Sequence, residues 1–377
     1  MNILLIGEYF SSNLGDPLLC STVKKIIQHH FPDVQITPLD LSGQINSTEF
    51  YLLKYSFWWK LFFRLSDKLT KIFSLSKIYK KYKKDELRYL RTLFHLKSLL
   101  KENNFDLAIF AGGSLFMDYF IPLIFIITNI LKRNKIKIIF HACGTGKMDK
   151  HDKKLLKRIL NDNNVVSISV RDSYNFINNL LNHKSKLIET YDTALNSTSF
   201  FKTDSSKLFD FGIGVFNGGD FYSFQKELIN LFLNSTYNWK LFTNGSEYDY
   251  NTAKKILSEL GIKATEHHKF LLPRPTTPEQ LINDINSFNK IISFRMHSLI
   301  IACSYGIPLI GINWDNKVVE FMTKMQLSEF CYNADKRFSI TNIDFPDSKV
   351  IKDNAKKQGN ISKNHLIQSI KNIGAIK

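Results

Sequence analysis

Short apolar runs alternate with longer amphipathic stretches from the first residues of the chain. Asn2–Gly7 is an apolar run that ends in a polar loop, and a helix is predicted from about Pro17 to His30. A second apolar run follows at Val34–Leu39. The runs have the length of buried strands and the stretch between them has the length of a helix, so the chain is predicted to open with a βαβ unit.

The same alternation continues to about residue 312. Further buried strands are predicted at Leu107–Ala111, Lys137–Ala142, Val165–Val170, Leu187–Thr190, Phe211–Phe216, Trp239–Thr243, Lys290–Ser293 and Pro308–Ile312. Helical stretches separate most of them, which is typical of parallel sheets covered on both faces.

A polar stretch from Asn196 to Leu208 divides this pattern into two halves. We therefore predict an α/β protein with two Rossmann-like domains whose parallel sheets face a cleft. The predicted N-terminal domain spans 1–198 and carries a mostly helical insertion at 50–102. The predicted second domain spans 206–361, and a C-terminal helix is expected at 362–377.

The composition is that of a globular protein, with 377 residues, 44% of them hydrophobic and 23% charged. The longest apolar run, Tyr119–Leu131, is too short to span a bilayer, and no basic residues precede the apolar N-terminus. The four cysteines form no CxxC pair and no His cluster accompanies them, so no metal site and no cofactor are expected. These features lead us to expect a cytoplasmic protein.

The chain is strongly basic, with 51 Lys and Arg against 34 Asp and Glu. Residues 54–84 hold ten of these cations and one acid, Asp67, near Trp58, Trp59 and Phe62. Such a mixture favours contact with an anionic membrane surface through 50–84 over binding of nucleic acid. A buried helical hairpin with a basic outer face is the alternative.

Glycines and polar residues follow several of the predicted strands, where a doubly wound sheet binds its ligands. They are Asn13, Gly15 and Asp16 after the first strand, and Gly112, Gly113 and Ser114 after the third. Glycine allows the backbone to approach a ligand closely, and a helix that begins there favours an anion. The alternative is a set of tight packing turns, with Asp16 as a helix cap.

Arginine and histidine follow two other strands. Arg171 follows Val165–Val170, and Arg295 and His297 follow Lys290–Ser293. A guanidinium binds a carboxylate or phosphate through two parallel hydrogen bonds, and an imidazole can serve as a general acid near neutral pH. Lys317 could add a second positive contact to the same ligand. The alternatives are a structural ion pair for Arg171 and a histidine bonded to backbone near a helix start.

These motifs, in this order, resemble those of the polysaccharide pyruvyl transferase family. The resemblance spans about residues 1 to 330, with gaps at 45–100 and 215–275. Its most specific part is the run from Ser293 to Lys317, which is similar to the Ser-x-Arg-x-His signature of the family. The other matching segments are Asn13–Asp16, Gly112–Ser114, Ser169–Asp172 and Asp192.

The resemblance implies a two-domain fold like that of B-type glycosyltransferases. It implies phosphoenolpyruvate as the donor, and a sugar or lipid-linked oligosaccharide as the acceptor of a pyruvate ketal. Arg295 and His297 would form the donor-site pair, Arg171 would be a second anion contact, and Asp118 would be a candidate acid. His297 would protonate the enol carbon of the donor if a nearby carboxylate kept the imidazole charged.

Two other functions remain open on the sequence alone. A B-type glycosyltransferase with a nucleotide-sugar donor would have the same fold, and Asp315 and Glu320 could hold its ribose. A non-enzymatic scaffold that binds through 50–84 would leave the strand-end loops without a role.

Overall fold

The computed structural model describes residues 1–42, 77–203, 206–334 and 344–374, and of 77–87 it describes the backbone alone. Most of the basic aromatic stretch lies outside the described residues. The predicted membrane contact through 50–84 therefore stays a prediction. No helix in the described ranges combines the length and the apolar character that crossing a bilayer requires.

The first sheet is formed by strands from the N-terminal half. Its strands are β1 (Asn2–Gly7), β2 (Gln35–Asp40), β3 (Leu107–Phe110), β4 (Gly113–Phe116), β5 (Lys137–Thr145), β6 (Val165–Val170) and β7 (Leu187–Glu189). They run parallel in the order β2-β1-β3-β5-β6-β7, and β4 pairs with β5 beside this path. The central strands β1 and β3 are apolar and almost wholly buried, as expected of parallel strands covered on both faces.

The second sheet repeats this arrangement. Its strands are β8 (Phe209–Gly214), β9 (Trp239–Phe242), β10 (Phe288–Ser293), β11 (Leu309–Asn313) and β12 (Cys331–Asn333). They are parallel in the order β12-β11-β10-β8-β9. Read from the other edge, this is the 2-1-3-4-5 order of flavodoxin-like sheets, which the first sheet also follows along its main path.

Helices cover both sheets. They are α1 (Gly15–His30), α2 (Lys77–Glu102), α3 (Ile121–Arg133), α4 (Lys150–Leu160), α5 (Tyr174–Leu180), α6 (Tyr222–Leu233), α7 (Glu247–Glu259), α8 (Pro278–Asn286), α9 (Met296–Tyr305), α10 (Asn316–Lys324) and α11 (Ser348–Lys371). Short 3-10 helices lie at Lys184–Lys186, Thr193–Ser199, Gly219–Phe221, Ala264–Lys269 and Ser328–Phe330.

The strand order places a switch point in each sheet. The strand order reverses between β1 and β3 in the first sheet, and between β8 and β10 in the second, while all strands stay parallel. In open parallel sheets, ligands bind outside the carboxyl ends of the strands at such a point. The loops after β1, β3 and β10 therefore hold the positions from which a ligand is expected to be bound.

The segment after β3 does not pass directly into a helix. Gly112 and Gly113 both adopt positive φ angles, and the chain then forms the short strand β4 before α3 begins at Ile121. A Cβ on Gly112 would lie 2.9 Å from the carbonyl oxygen of His141, so the glycine serves close backbone packing. Pro122 lies in the first turn of α3, where proline is well tolerated.

The C-terminal helix begins at Ser348, well before the expected start at 362. Asp347 caps it by accepting hydrogen bonds from the amides of Lys349 and Val350. The sequence from 348 to 361 is rich in Lys and Asn, and its apolar periodicity is too weak to predict the first part of the helix. The helix leaves the second domain and packs on the first, where Leu366 and Ile370 join the core formed by β1, β3 and α1.

Replacing Leu366 by alanine is expected to destabilise the protein by about 2–5 kcal/mol, because a fully buried side chain leaves a cavity. Chemical denaturation measures the effect. Ile361→Ala on the same helix is the matched control, since Ile361 is 41% exposed and should cost less than about 1 kcal/mol. Equal losses in the two variants would show that the helix does not dock in this way.

Candidate active site

The carboxyl ends of the two sheets face a cleft of about 190 Å³. The first domain contributes Glu8, Asn13 and Asp16 to its lining, and the second contributes Asn244, His297 and Lys317. The loop after β1 also bonds directly to the second domain, because the amide of Leu14 donates to the carbonyl of Asn244 at 2.8 Å. The site is therefore built by both domains together.

His297 lies in the first turn of α9 and is buried against the first turn of α1. Its Nε2 is 3.8 Å from the carboxylate of Asp16, and its Nδ1 is 3.4 Å from Nδ2 of Asn13. Gly15 makes this approach possible, since a Cβ at that position would overlap the imidazole ring. The motif after β1 and the Arg-x-His motif thus form one contact across the cleft.

The pKa of His297 is lowered, and the largest cause is burial. Asp16 and Asp192 oppose the shift, while Arg171 and Arg295 add to it. The ring is therefore neutral over more of the physiological range than an exposed histidine. The amide nitrogen of Asn13 can only donate, so Nδ1 of His297 must accept in this contact. The proton of the neutral ring is therefore on Nε2. That nitrogen is buried 3.8 Å from the carboxylate of Asp16 and forms no hydrogen bond with a described residue.

Arg295 is held by a carboxylate that the sequence did not reveal. Its Nε and Nη2 donate to the two oxygens of Asp249 at 3.0 and 2.6 Å. Asp249 is buried at the start of α7 and also accepts from the amide of Asn217. This forked pair fixes the guanidinium plane at the cleft.

Arg171 is buried between two carboxylates. It donates to Asp192 and lies 3.5 Å from Asp172. Asp172 in turn accepts from the amide and hydroxyl of Thr145, and Asp192 accepts from the amide of Ala194. The structural ion pair that the sequence left open is present, and Arg171 still reaches the cleft lining.

Ser114 connects two cations at the centre of the site. Its hydroxyl accepts from Nη2 of Arg171 at 3.1 Å and from Nζ of Lys317 at 3.2 Å. The pKa of Lys317 is lowered, first by burial and then by Arg171, although Asp172, Asp315 and Asp16 oppose this. Lys317 forms no ion pair with any carboxylate in the described ranges. Unlike Arg171 and Arg295, its charge is therefore not balanced by a carboxylate partner, so it is the cation best placed to bind an anionic ligand.

Several hydrogen-bond donors at the cleft also have no acceptor. Helix α9 begins there without a side-chain cap, so its first amides remain available to an anion. In α1 the amide of Asp16 already donates to the carbonyl of Asn13, and Pro17 has no amide hydrogen. Asn244 accepts from the hydroxyl of Ser298 at 2.5 Å, but its own Nδ2 is buried without a partner. A buried donor without an acceptor is costly, and an anionic ligand bound in the cleft would offset that cost.

The family model for polysaccharide pyruvyl transferases matches residues 13–316, from Asn13 to the start of α10. The chain belongs to the polysaccharide pyruvyl transferase family. The match includes the loop after β1, Arg171 and the Arg-x-His motif, and so confirms the resemblance seen in the sequence. No curated protein matches the chain.

Solved structures similar to this transferase show its fold. Staphylococcus aureus MnaA with UDP is 10% identical, with a TM-score of 0.59 and coverage of 100% of this chain and 97% of that one. The UDP-GlcNAc 2-epimerase of Methanocaldococcus jannaschii is 8% identical (TM-score 0.55, coverage 98% and 99%). That of Neisseria meningitidis, bound to UDP-GlcNAc, is 12% identical (0.53, 99% and 100%). The predicted two-domain α/β fold, like that of B-type glycosyltransferases, is confirmed.

The structure does not bring Asp118 to the cleft. It lies before α3, is exposed, and accepts from the amide of Tyr119 at 2.7 Å. The carboxylate beside His297 is Asp16 instead. Asp16 does not cap α1, whose N-cap is Leu14, and it accepts from Nδ2 of Asn13 at 2.9 Å.

The transferase site includes residues that sequence reasoning missed. Glu8 directly follows β1, and Asn244 lies two residues after the end of β9, so the rule that ligands bind at strand ends could have found both. Asp249 gives no such signal, because an acid in the first turn of a helix is ordinary at any surface. Its partnership with Arg295 joins segments 46 residues apart in sequence.

Gly15→Ala should destabilise this transferase by about 1–3 kcal/mol, because the added methyl group must displace the ring of His297. Without that contact, alanine in a helix would be more stable than glycine by up to about 1 kcal/mol. Denaturant unfolding therefore tests the sign of the change. Gly219→Ala is the control, since a Cβ there meets no atom within 4 Å. A stabilised Gly15→Ala variant would contradict the domain contact.

Proposed function

We propose that the protein transfers a pyruvyl group from phosphoenolpyruvate to two hydroxyls of one sugar, forming a pyruvate ketal. The sugar belongs to a cell-surface polysaccharide or to its lipid-linked precursor. The observation that carries the proposal is that hydrogen-bond donors without acceptors and a lysine without a carboxylate partner line the cleft. The chain that forms this cleft belongs to the pyruvyl transferase family. Membership in the family supports transferase chemistry, and the donor and the ketal are our inference.

Phosphoenolpyruvate carries a phosphate and a carboxylate, and the cleft offers contacts for both. Lys317, the first amides of α9 and Nδ2 of Asn244 can all donate to anionic oxygens. Arg295 and Arg171 keep their carboxylate partners, so each contributes oriented hydrogen bonds more than net charge. We propose Arg295 and His297 as the donor-site pair, with Arg171 and Lys317 as further anion contacts.

His297 suits a role other than the charged acid expected from the sequence. The neutral ring carries its hydrogen on Nε2 and is a poor proton source for carbon. A hydrogen bond from Nε2 to the phosphate would stabilise the charge that develops as the C2–O bond breaks. This role requires no protonated imidazole, and so it agrees with the direction of the pKa shift.

The acceptor is proposed to bind on the side of the first domain. The loops with Asn13, Gly15 and Asp16, and with Gly112, Gly113 and Ser114, lie at the carboxyl ends of β1 and β3. A lipid-linked acceptor would be met at the inner face of the plasma membrane through 50–84, which are rich in lysine and aromatic residues. The proposed chemistry uses no metal ion or cofactor.

Phosphoenolpyruvate should raise the melting temperature of the protein, and Lys317→Gln should weaken this effect. At 100 times Kd the ligand stabilises by about 2.7 kcal/mol, a shift of several degrees for a chain of this size. Loss of one hydrogen bond to a charged group should weaken binding by about 10- to 100-fold. Lys349→Gln, which changes an exposed lysine, is the matched control.

The same thermal measurement with nucleotide sugars decides between donors. Stabilisation by phosphoenolpyruvate that disappears in Arg295→Ala would locate the donor at the Arg-x-His motif. Stabilisation by a nucleotide sugar, with none by phosphoenolpyruvate, would overturn the proposal in favour of glycosyl transfer.

A further inference from the structure

Glu8 lines the cleft, and its carboxyl group has no part in the anion contacts of Arg171, Arg295, His297 and Lys317. It directly follows β1, at the switch point of the first sheet, and lines the same cleft as Asp16, His297 and Lys317. Its side chain forms no hydrogen bond or ion pair with any described residue. The other carboxylates nearby do have donors: Asp16 accepts from Asn13, and Asp40 accepts from the amide of Phe10 and the hydroxyl of Ser42.

We propose that Glu8 is the general acid that protonates C3 of phosphoenolpyruvate. The assignment rests on the proposed function and deepens it. The placement supports it, because Glu8 and His297 approach the cleft from opposite domains and a donor held between them is accessible to both. Asp118 cannot take this role from its exposed position outside the cleft.

The surroundings of Glu8 favour the protonated form. Burial is the largest cause that raises its pKa well above the usual value, and Asp16 of α1 and Asp40 of β2 raise it further. Arg88 of α2 opposes them. His297 is shifted in the other direction, towards the neutral ring. Two titratable groups whose environments displace their pKa values in opposite directions are a sign of divided acid–base roles.

Glu8 can both supply the proton that the addition step consumes and accept the proton that it releases. The carboxyl proton goes to C3, the C2=C3 π electrons form the new C–H bond, and C2 becomes electron-deficient. The first acceptor hydroxyl attacks C2, and its proton goes to the Glu8 carboxylate, which restores the acid. The second hydroxyl then attacks C2 as the C2–O bond to phosphate breaks, and its proton leaves on the phosphate.

Infrared spectroscopy of the protein in ²H₂O at neutral pH tests the protonation state without any substrate. Wild type should show the C=O band of a protonated carboxyl that Glu8→Gln lacks. Glu227→Gln, which changes an exposed glutamate of α6, should leave the band in place. Identical spectra for wild type and Glu8→Gln would show that Glu8 is ionised and would overturn the assignment.

The pH dependence of stability gives a second test. A carboxyl with a raised folded-state pKa contributes stability that is complete below its unfolded pKa and is lost as pH rises towards the folded value. Glu8→Gln removes this loss. Its melting temperature should therefore gain on that of wild type as the pH is raised from about 4.5, the ordinary pKa of a glutamate. A difference that stays constant with pH would contradict the proposal.

Turnover separates a catalytic role from a structural one. Phosphate release from phosphoenolpyruvate, with hexose glycosides as acceptors, should fall by about 100-fold or more in Glu8→Gln. The thermal shift caused by phosphoenolpyruvate should be unchanged. Full activity in this variant would overturn the role of Glu8 alone. Absence of any phosphoenolpyruvate shift in wild type would instead contradict the proposed donor, whatever the infrared result.

Discussion

The site depends on the contact between the first turn of α1 and the imidazole of His297. A glycine at position 15 permits it, because a side chain there would occupy the space of the ring. The contact brings Asn13 and Asp16 to His297, and the bond from Leu14 to Asn244 holds the same loop against the second domain. The C-terminal helix supports this arrangement from behind by crossing back to the core of the first domain.

Charge within this cleft is arranged in two ways. Arg171 and Arg295 each carry buried carboxylate partners, which hold their guanidinium groups in one orientation and reduce their net charge. Lys317 and the uncapped start of α9 have no such partners among the described residues. Buried charges without partners are costly, so the unpaired part of the site is where an anionic ligand gains most. We propose that the paired arginines position that ligand.

Burial also divides the acid–base work of the cleft. The same dry environment that disfavours charge on the imidazole of His297 disfavours charge on the carboxyl of Glu8, and the neutral forms of the two groups differ in what they can do. A neutral carboxyl is a proton source, whereas a neutral imidazole is a hydrogen-bond donor. In the proposed chemistry the two domains would bring complementary functions to a donor bound between them, and Asp16 lies close enough to influence both groups.

The sequence by itself determined the α/β class, the two-domain division and most strands, because buried parallel strands need continuous apolar runs and crossover helices between them. It also located Asn13, Ser114, Arg171, Arg295, His297 and Lys317 at strand ends, where the topology of such sheets brings them together. The tertiary structure decided what these residues touch. Asp249 and Asp16 lie against Arg295 and His297, which are distant from them in the chain, and Asp118 lies outside the lining of the cleft. Partner identity and burial set charge and orientation, and neither is a property of local sequence.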